Sequence, residues 1–102
     1  MNSTSSQIDP RIIRKACHET SDTYGEIVAV LDHKHRVIAC KDGIQWITQR
    51  RKSGGAERPW RALGYYTTRK ALIRACALLS REIEPAVMSL LADLPDTIGR
   101  LA

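Results

Sequence analysis

Phenylalanine is missing from the sequence, and its aromatic residues are two tryptophans and three tyrosines. The core therefore has to rest on isoleucine, valine, leucine and alanine, with a few large rings at selected positions. No apolar run approaches the roughly 18 residues of a membrane-spanning helix. The opening MNSTSSQ also lacks the basic-then-apolar layout of a signal peptide. We therefore expect a cytoplasmic protein without membrane contact.

Cysteines with the spacing of a disulfide framework or a zinc site are missing as well. Cys17, Cys40 and Cys76 are odd in number and lie among apolar neighbours, which predicts reduced thiols in the core. His33 and His35, with Cys40 nearby, are metal-ligand types, but no Cys-x-x-Cys or His-x₃-His spacing accompanies them. We interpret the histidines as part of a polar turn and expect neither a metal nor another cofactor.

Catalytic motifs are not apparent. The sequence contains no nucleophile elbow, P-loop or carboxylate pair, so we expect no enzymatic activity. A small ribonuclease toxin is the alternative, and the residue types it needs are supplied by His33, His35, Arg61, Tyr65 and Tyr66. Their spacing is not diagnostic of any nuclease.

Acidic residues are nearly missing from the middle of the chain. Residues 44–81 contain nine lysines and arginines against the single Glu57, a net charge of +8. Residues 1–43 are neutral overall and residues 82–102 have a net charge of −3. The total of +5 therefore hides a strongly basic central region, which can attract a polyanion.

The pattern of apolar residues predicts one domain of the α+β class. We expect a disordered tail over residues 1–8 and a single domain over 9–102, because about 100 residues suffice for one modest core. Asp9 and Pro10 are typical of a helix start and predict a helix over 10–19. Four β-branched or aromatic runs predict strands, and they cover residues 26–32, 36–41, 44–51 and 60–67.

Turn and cap residues connect these elements. Asp42-Gly43 between two apolar runs favours a two-residue type I′ turn. Thr67 or Thr68 can cap a helix over 69–81. Glu84-Pro85 begins another helix, which ends before Pro95. The resulting fold is a four-stranded antiparallel meander with the N-terminal and C-terminal helices packed on one face.

The apolar seam of the last helix has two possible roles. Leu90, Leu91 and Leu94 lie on one side of it, and Ile98 and Leu101 follow. The seam either packs on the sheet, or forms a homodimer contact or a groove for a partner.

The segment QWITQRRKSGGAERPWRALGYY, residues 45–66, combines both tryptophans with most of the basic charge. Strand alternation places Trp46 and Arg50 on one face of the sheet, and Gln49 and Arg51 on the other. Helices on one side leave the other face of an antiparallel sheet solvent-exposed. Arginine binds phosphate in a bidentate manner and tryptophan stacks on bases. Which of the two faces is exposed stays open at this point.

Residues 46–75, W-I-T-Q-R-R … R-P-W-R-A-L-G-Y-Y-T-T-R-K-A-L-I-R-A, resemble the three-stranded-sheet-plus-helix DNA-binding domains of the plant AP2 type and of phage integrase arm-binding domains. The resemblance implies a sheet in the major groove and packing roles for Tyr66 and Ala71. The contacts that it implies are Trp46, Arg50, Arg51, Arg58, Trp60 and Arg61. KDGIQWITQRR and LADLPDTIG also resemble small uncharacterised proteins of alphaproteobacterial genomes and mobile elements, which implies a phage or plasmid accessory protein.

These observations favour a non-enzymatic module that binds nucleic acid, with DNA as the expected polymer. The predicted contacts are Trp46, Arg50, Arg51, Lys52, Arg58, Trp60 and Arg61 on the hairpin, with Lys70 and Arg74 on the following helix. The alternative partner is an acidic protein surface, as for an inhibitor or adaptor of the anti-defence type, anti-CRISPR proteins among them.

Overall fold

A computed structural model describes residues 18–53 and 59–99 of the chain. Within them, four strands are followed by two helices. The elements are β1 (Ile27–Asp32), β2 (His35–Ala39), β3 (Trp46–Arg51), β4 (Trp60–Tyr66), α1 (Arg69–Leu79) and α2 (Pro85–Ala92). The predicted tail, nearly all of the predicted N-terminal helix with Cys17, and the loop residue Arg58 lie outside the described residues.

The strands form one antiparallel sheet in chain order, β1-β2-β3-β4. The predicted α+β meander is therefore confirmed. Across β3 and β4, Thr48 pairs with Gly64 but Gln49 pairs with Ala62, so Leu63 is an extra residue that forms a bulge.

Both helices pack on one face of the sheet. Trp46 is only 2% exposed there and belongs to one buried cluster with Leu72 and Cys76 of α1 and Leu91 of α2. Leu90 stays 47% exposed on α2, and the homodimer contact remains a prediction.

In the described part of the chain, no helix has the length and apolar character needed to cross a membrane.

Local signals explain where the helices begin. The side chain of Thr68 accepts a hydrogen bond of 3.2 Å from the backbone N–H of Ala71, which satisfies one of the free donors in the first turn of α1. Pro85 occupies the first turn of α2, where its missing N–H costs nothing. Thr68, and not Thr67, is thus the cap of α1.

Over the two central strands, β2 and β3, the opposite face of the sheet is also covered, which corrects the prediction of a solvent-exposed face there, whereas Tyr65 on the edge strand β4 stays 58% exposed. Ile38 and Ile47 are at most 1% exposed and form a second cluster with Tyr24 and Cys40. The hydroxyl of Tyr24 donates a hydrogen bond of 2.7 Å to the carbonyl of Ala39. The reason for the correction is that the segment before β1 lies against this face, a contact that strand alternation does not predict.

The connection between β2 and β3 is longer than two residues, so the prediction of a two-residue turn was wrong. A two-residue turn would make Lys41 and Ile44 the last pair, but the backbone N–H of Cys40 donates to the carbonyl of Gln45 over 2.9 Å. Gly43, the third residue of this four-residue loop, has a φ of 68° and lies in the left-handed region. Asp-Gly suits such longer loops as well as type I′ turns.

Candidate nucleic-acid interface

The β1–β2 turn and the end of β3 meet at one end of the sheet and line an open cavity of about 260 Å³. The residues that line it are His33 and Lys34 from the β1–β2 turn, with Arg50, Arg51, Lys52 and Ser53 at the end of β3. We call it the basic cavity. The backbone N–H of Arg51 donates to the carbonyl of Lys34 over 2.8 Å, so main-chain bonding holds the end of β3 against the β1–β2 turn.

The cations of the basic cavity have few counter-ions. Lys34, Arg50 and Lys52 are exposed, and among the described residues no carboxylate forms an ion pair with any of them. Arg50 also lies directly opposite Arg61 in the β3–β4 pairing. Like charges in that position destabilise a sheet, and a bound anion would relieve the repulsion.

Asp32 lies at the same end of the sheet but serves to hold the β1–β2 turn. Its carboxylate accepts hydrogen bonds from the backbone N–H of Lys34 at 2.7 Å, from Nδ1 of His35 at 3.0 Å and from the side chain of Ser80. Burial raises the pKa of Asp32, but these three hydrogen bonds outweigh burial and leave the pKa lowered. The Ser80 contact also places the C-terminal end of α1 at this end of the sheet.

Arg36 is buried behind the basic cavity, with 2% of its surface exposed. Its Nε donates to Oε1 of Gln49 over 2.7 Å, and its Nη2 donates to the carbonyls of Ser21 and Glu19 over 2.9 and 3.1 Å. Burial lowers the pKa of Arg36 to about 10, so the guanidinium stays charged at neutral pH. Arg36 thereby ties the segment before β1 to the sheet.

Trp60 links Arg36 to the basic cavity. The guanidinium carbons of Arg36 and Arg51 lie 4.3 and 5.5 Å from the centroid of its ring, within the range of a cation–π interaction. Its Nε1–H donates to Oδ1 of Asp22 over 2.9 Å, and the same oxygen accepts from Nη1 of Arg51 over 2.7 Å. The hydrogen bond from Trp60, and then that from Arg51, lowers the pKa of Asp22.

No protein-family model, curated protein or solved structure matches the chain. The resemblance to AP2-type DNA-binding domains therefore stays a prediction. Function has to be inferred from the residues of the basic cavity and their surroundings.

The structure brings only some of the predicted contacts together. Arg50, Arg51 and Lys52 line the basic cavity, and Arg61 lies beside Arg50. Trp46 is in the core and Trp60 is 7% exposed. Neither ring is available to stack on a base in this structure, because a chain without phenylalanine uses both rings for packing.

The remaining predicted contacts lie elsewhere. Lys70 and Arg74 are exposed on α1, which begins beyond the end of β4 that pairs with Trp46, away from the basic cavity. Gln49, a residue type that reads adenine, is 1% exposed, and its Nε2 donates to the carbonyl of Glu19. Gln49 therefore has a structural role.

The residue types of the metal and nuclease alternatives are not gathered at one place. His35 and Cys40 lie at opposite ends of β2. Residues 18–53 and 59–99 contain no group of three or more histidine, cysteine or acidic side chains that could hold a metal. Tyr65 and Tyr66 pair with Ile47 and Trp46, at the end of the sheet away from His35.

Three residues that line the basic cavity were not predicted as contacts, namely Ser53, His33 and Lys34. His33 and Lys34 stand in a polar turn, well before the basic segment, so they are the harder two to find. The signal that reveals them is topological: in a four-stranded meander, the β1–β2 and β3–β4 connections lie at the same end of the sheet.

Proposed function

We propose that the protein is a non-enzymatic nucleic-acid-binding module, with duplex DNA as its ligand, that holds phosphate groups in the basic cavity. The observation that carries the proposal is the lining of the cavity. Four of its six residues are lysines or arginines, and among the described residues only one of these four, Arg51, has a carboxylate partner. A role as a cytoplasmic accessory regulator of a phage or plasmid fits this activity and is part of the proposal.

The chemistry of the basic cavity suits the phosphate backbone better than base edges. The guanidinium group of Arg50 can bind a phosphate through two N–H donors, while Lys34 and Lys52 act as point charges. Gln49 and the tryptophan rings, which would provide base readout or stacking, are buried. We therefore expect binding with little sequence preference and a Kd of about 10⁻⁴ to 10⁻⁶ M at physiological salt.

Salt dependence is the first test of this proposal. If the cations of the basic cavity neutralise about three or four phosphates, log K falls against log salt with a slope of roughly −2.7 to −3.6. Affinity for a short labelled duplex should then drop roughly 40- to 150-fold between about 50 and 200 mM salt. Fluorescence anisotropy titrations at several salt concentrations measure this slope, with single-stranded DNA and RNA of the same sequence as parallel ligands.

An affinity independent of salt would contradict the proposal. So would a pull-down that yields one stoichiometric acidic protein partner whose capture is unchanged by nuclease, because the same cations would then serve a protein interface. Tighter binding to single-stranded DNA or to RNA would support the phosphate site but would show that duplex DNA is not the preferred ligand.

A further inference from the structure

Beside the basic cavity, the carboxylate of Asp22 occupies a pair of donors that a phosphate oxygen can also use. Oδ1 of Asp22 accepts from Nη1 of Arg51 and from Nε1 of Trp60 over 2.7 and 2.9 Å. Arg51 also lines the basic cavity, so the two donors lie at its edge. The side chain of Asp22 is 56% exposed and that of Arg51 is 39% exposed, so solvent reaches the contact.

We propose that the guanidinium of Arg51 and the indole N–H of Trp60 form a second phosphate site, which Asp22 fills in the free protein and a nucleic-acid phosphate fills in the complex. We call these two donors the Arg51–Trp60 site. As a feature of nucleic-acid binding, the inference rests on the proposed function. It identifies Asp22 as an intramolecular competitor that lowers the affinity of the protein for nucleic acid.

The charges around the Arg51–Trp60 site favour the exchange. The buried guanidinium of Arg36 lies 4.3 Å from the centroid of the Trp60 ring, so two guanidinium groups stand against one carboxylate. Once Asp22 moves away, the site has a net positive charge, and no other described carboxylate forms an ion pair with Arg51. A phosphodiester has two non-bridging oxygens and can bind Arg51 through both.

Asp22 is suited to the role of a displaceable anion. The hydrogen bond from Trp60, and then that from Arg51, lowers its pKa, so it is ionised at neutral pH and competes as a charged group. Its ion pair with Arg51 is partly exposed, and exposed ion pairs contribute little to stability. Breaking the pair is therefore a small obstacle to a ligand that brings several phosphates.

Removal of the competing carboxylate should tighten binding. With Arg51 free for one more phosphate, Asp22→Ala is expected to raise the affinity for duplex DNA roughly 5-fold at about 0.15 M salt. The gain should shrink as salt rises. Asp22→Asn, which keeps the size of the side chain, should give a gain in the same direction and guards against a loss of packing in the alanine variant.

Asp96→Asn is the matched control. Asp96 also forms an ion pair of 2.7 Å with an arginine, Arg69, and is 85% exposed, but it lies near the start of α1, away from the basic cavity. The Asp96→Asn substitution removes the same negative charge from the same kind of ion pair. We expect it to change affinity by less than about 2-fold.

The indole N–H of Trp60 gives a direct readout, since the chain contains only one other tryptophan, Trp46. In ¹H–¹⁵N spectra of the Asp22→Ala variant, titration with inorganic phosphate should move the Trp60 indole signal, while that of the buried Trp46 stays in place. In the wild type, duplex DNA should move the Trp60 signal in the same direction.

The phosphate titration separates the two proposals. If the wild type binds no nucleic acid but the Trp60 signal of Asp22→Ala responds to inorganic phosphate, the proposed function fails and the Arg51–Trp60 site stands. If the wild type binds duplex but Asp22→Ala and Asp22→Asn bind no more tightly than Asp96→Asn, or inorganic phosphate leaves the Trp60 signal unmoved, the inference of a second site is overturned.

Discussion

Arg36→Ala is expected to destabilise the protein by about 3–5 kcal/mol. The substitution removes three hydrogen bonds from the guanidinium to Gln49 and to the carbonyls of Ser21 and Glu19. It also leaves a cavity beside the ring of Trp60. The buried oxygen acceptors lose their donor, and each unsatisfied acceptor costs about 1–3 kcal/mol. Urea unfolding followed by tryptophan fluorescence measures the change.

Arg74→Ala is the control for this effect, because Arg74 is an exposed arginine on α1 and should change stability by no more than about 0.5 kcal/mol. Arg36→Lys keeps the charge but not the planar set of donors, and we expect an intermediate loss. An Arg36→Ala protein as stable as Arg74→Ala would show that the buried guanidinium does not hold the segment before β1 on the sheet.

Arg50→Ala combined with Lys52→Ala is expected to weaken binding to duplex DNA roughly 10- to 30-fold at physiological salt. Both side chains line the basic cavity, and within the described residues neither forms an ion pair. Loss of two phosphate contacts should also make the slope of log K against log salt shallower by about 1.8. Anisotropy titrations of the double variant and the wild type over the same salt series test both numbers.

Lys52→Ala and Lys41→Ala form the matched pair for this prediction. Each removes one exposed lysine, but Lys41 lies in the β2–β3 loop, at the other end of the sheet from the basic cavity. Lys52→Ala should weaken binding several-fold and Lys41→Ala by less than about 2-fold. Equal losses from both variants would mean that net charge alone, and not the basic cavity, determines affinity.

The fold was largely predictable because its elements depend on local signals. Strands β1 to β4 begin and end within two residues of the predicted limits, as does α1. The β-branched and aromatic runs specify strands, and Thr68 marks the start of α1. The β2–β3 loop was mispredicted because Asp42-Gly43 is compatible with two loop lengths, and the pairing of the flanking strands decides between them.

The site was less predictable because it depends on contacts between residues distant in sequence. The basic segment pointed to Arg50, Arg51 and Lys52, which the structure places together in the basic cavity, and their contact with nucleic acid stays a prediction. Composition alone could not show that Arg36 would be buried, since an arginine is rarely buried without partners on several segments. Those partners include Glu19, 17 residues earlier in the chain.

The roles of the two tryptophans could not be predicted from the sequence either. Alternation shows that Trp46 and Gln49 lie on different faces of β3, but not that both side chains are buried. Because Trp46, Trp60 and Gln49 are buried, the proposed binding site lies at the end of the sheet and not on the sheet surface that the resemblance to AP2-type domains implies.

The most direct test of the central claim is a titration of ¹⁵N-labelled protein with a short DNA duplex at low salt, with the position of each backbone amide signal followed. The basic cavity predicts that the largest shifts fall on Lys34, Arg50 and Lys52 and the residues next to them. Shifts concentrated on the exposed side of α1, around Lys70 and Arg74, or an unchanged spectrum in excess duplex, would contradict it.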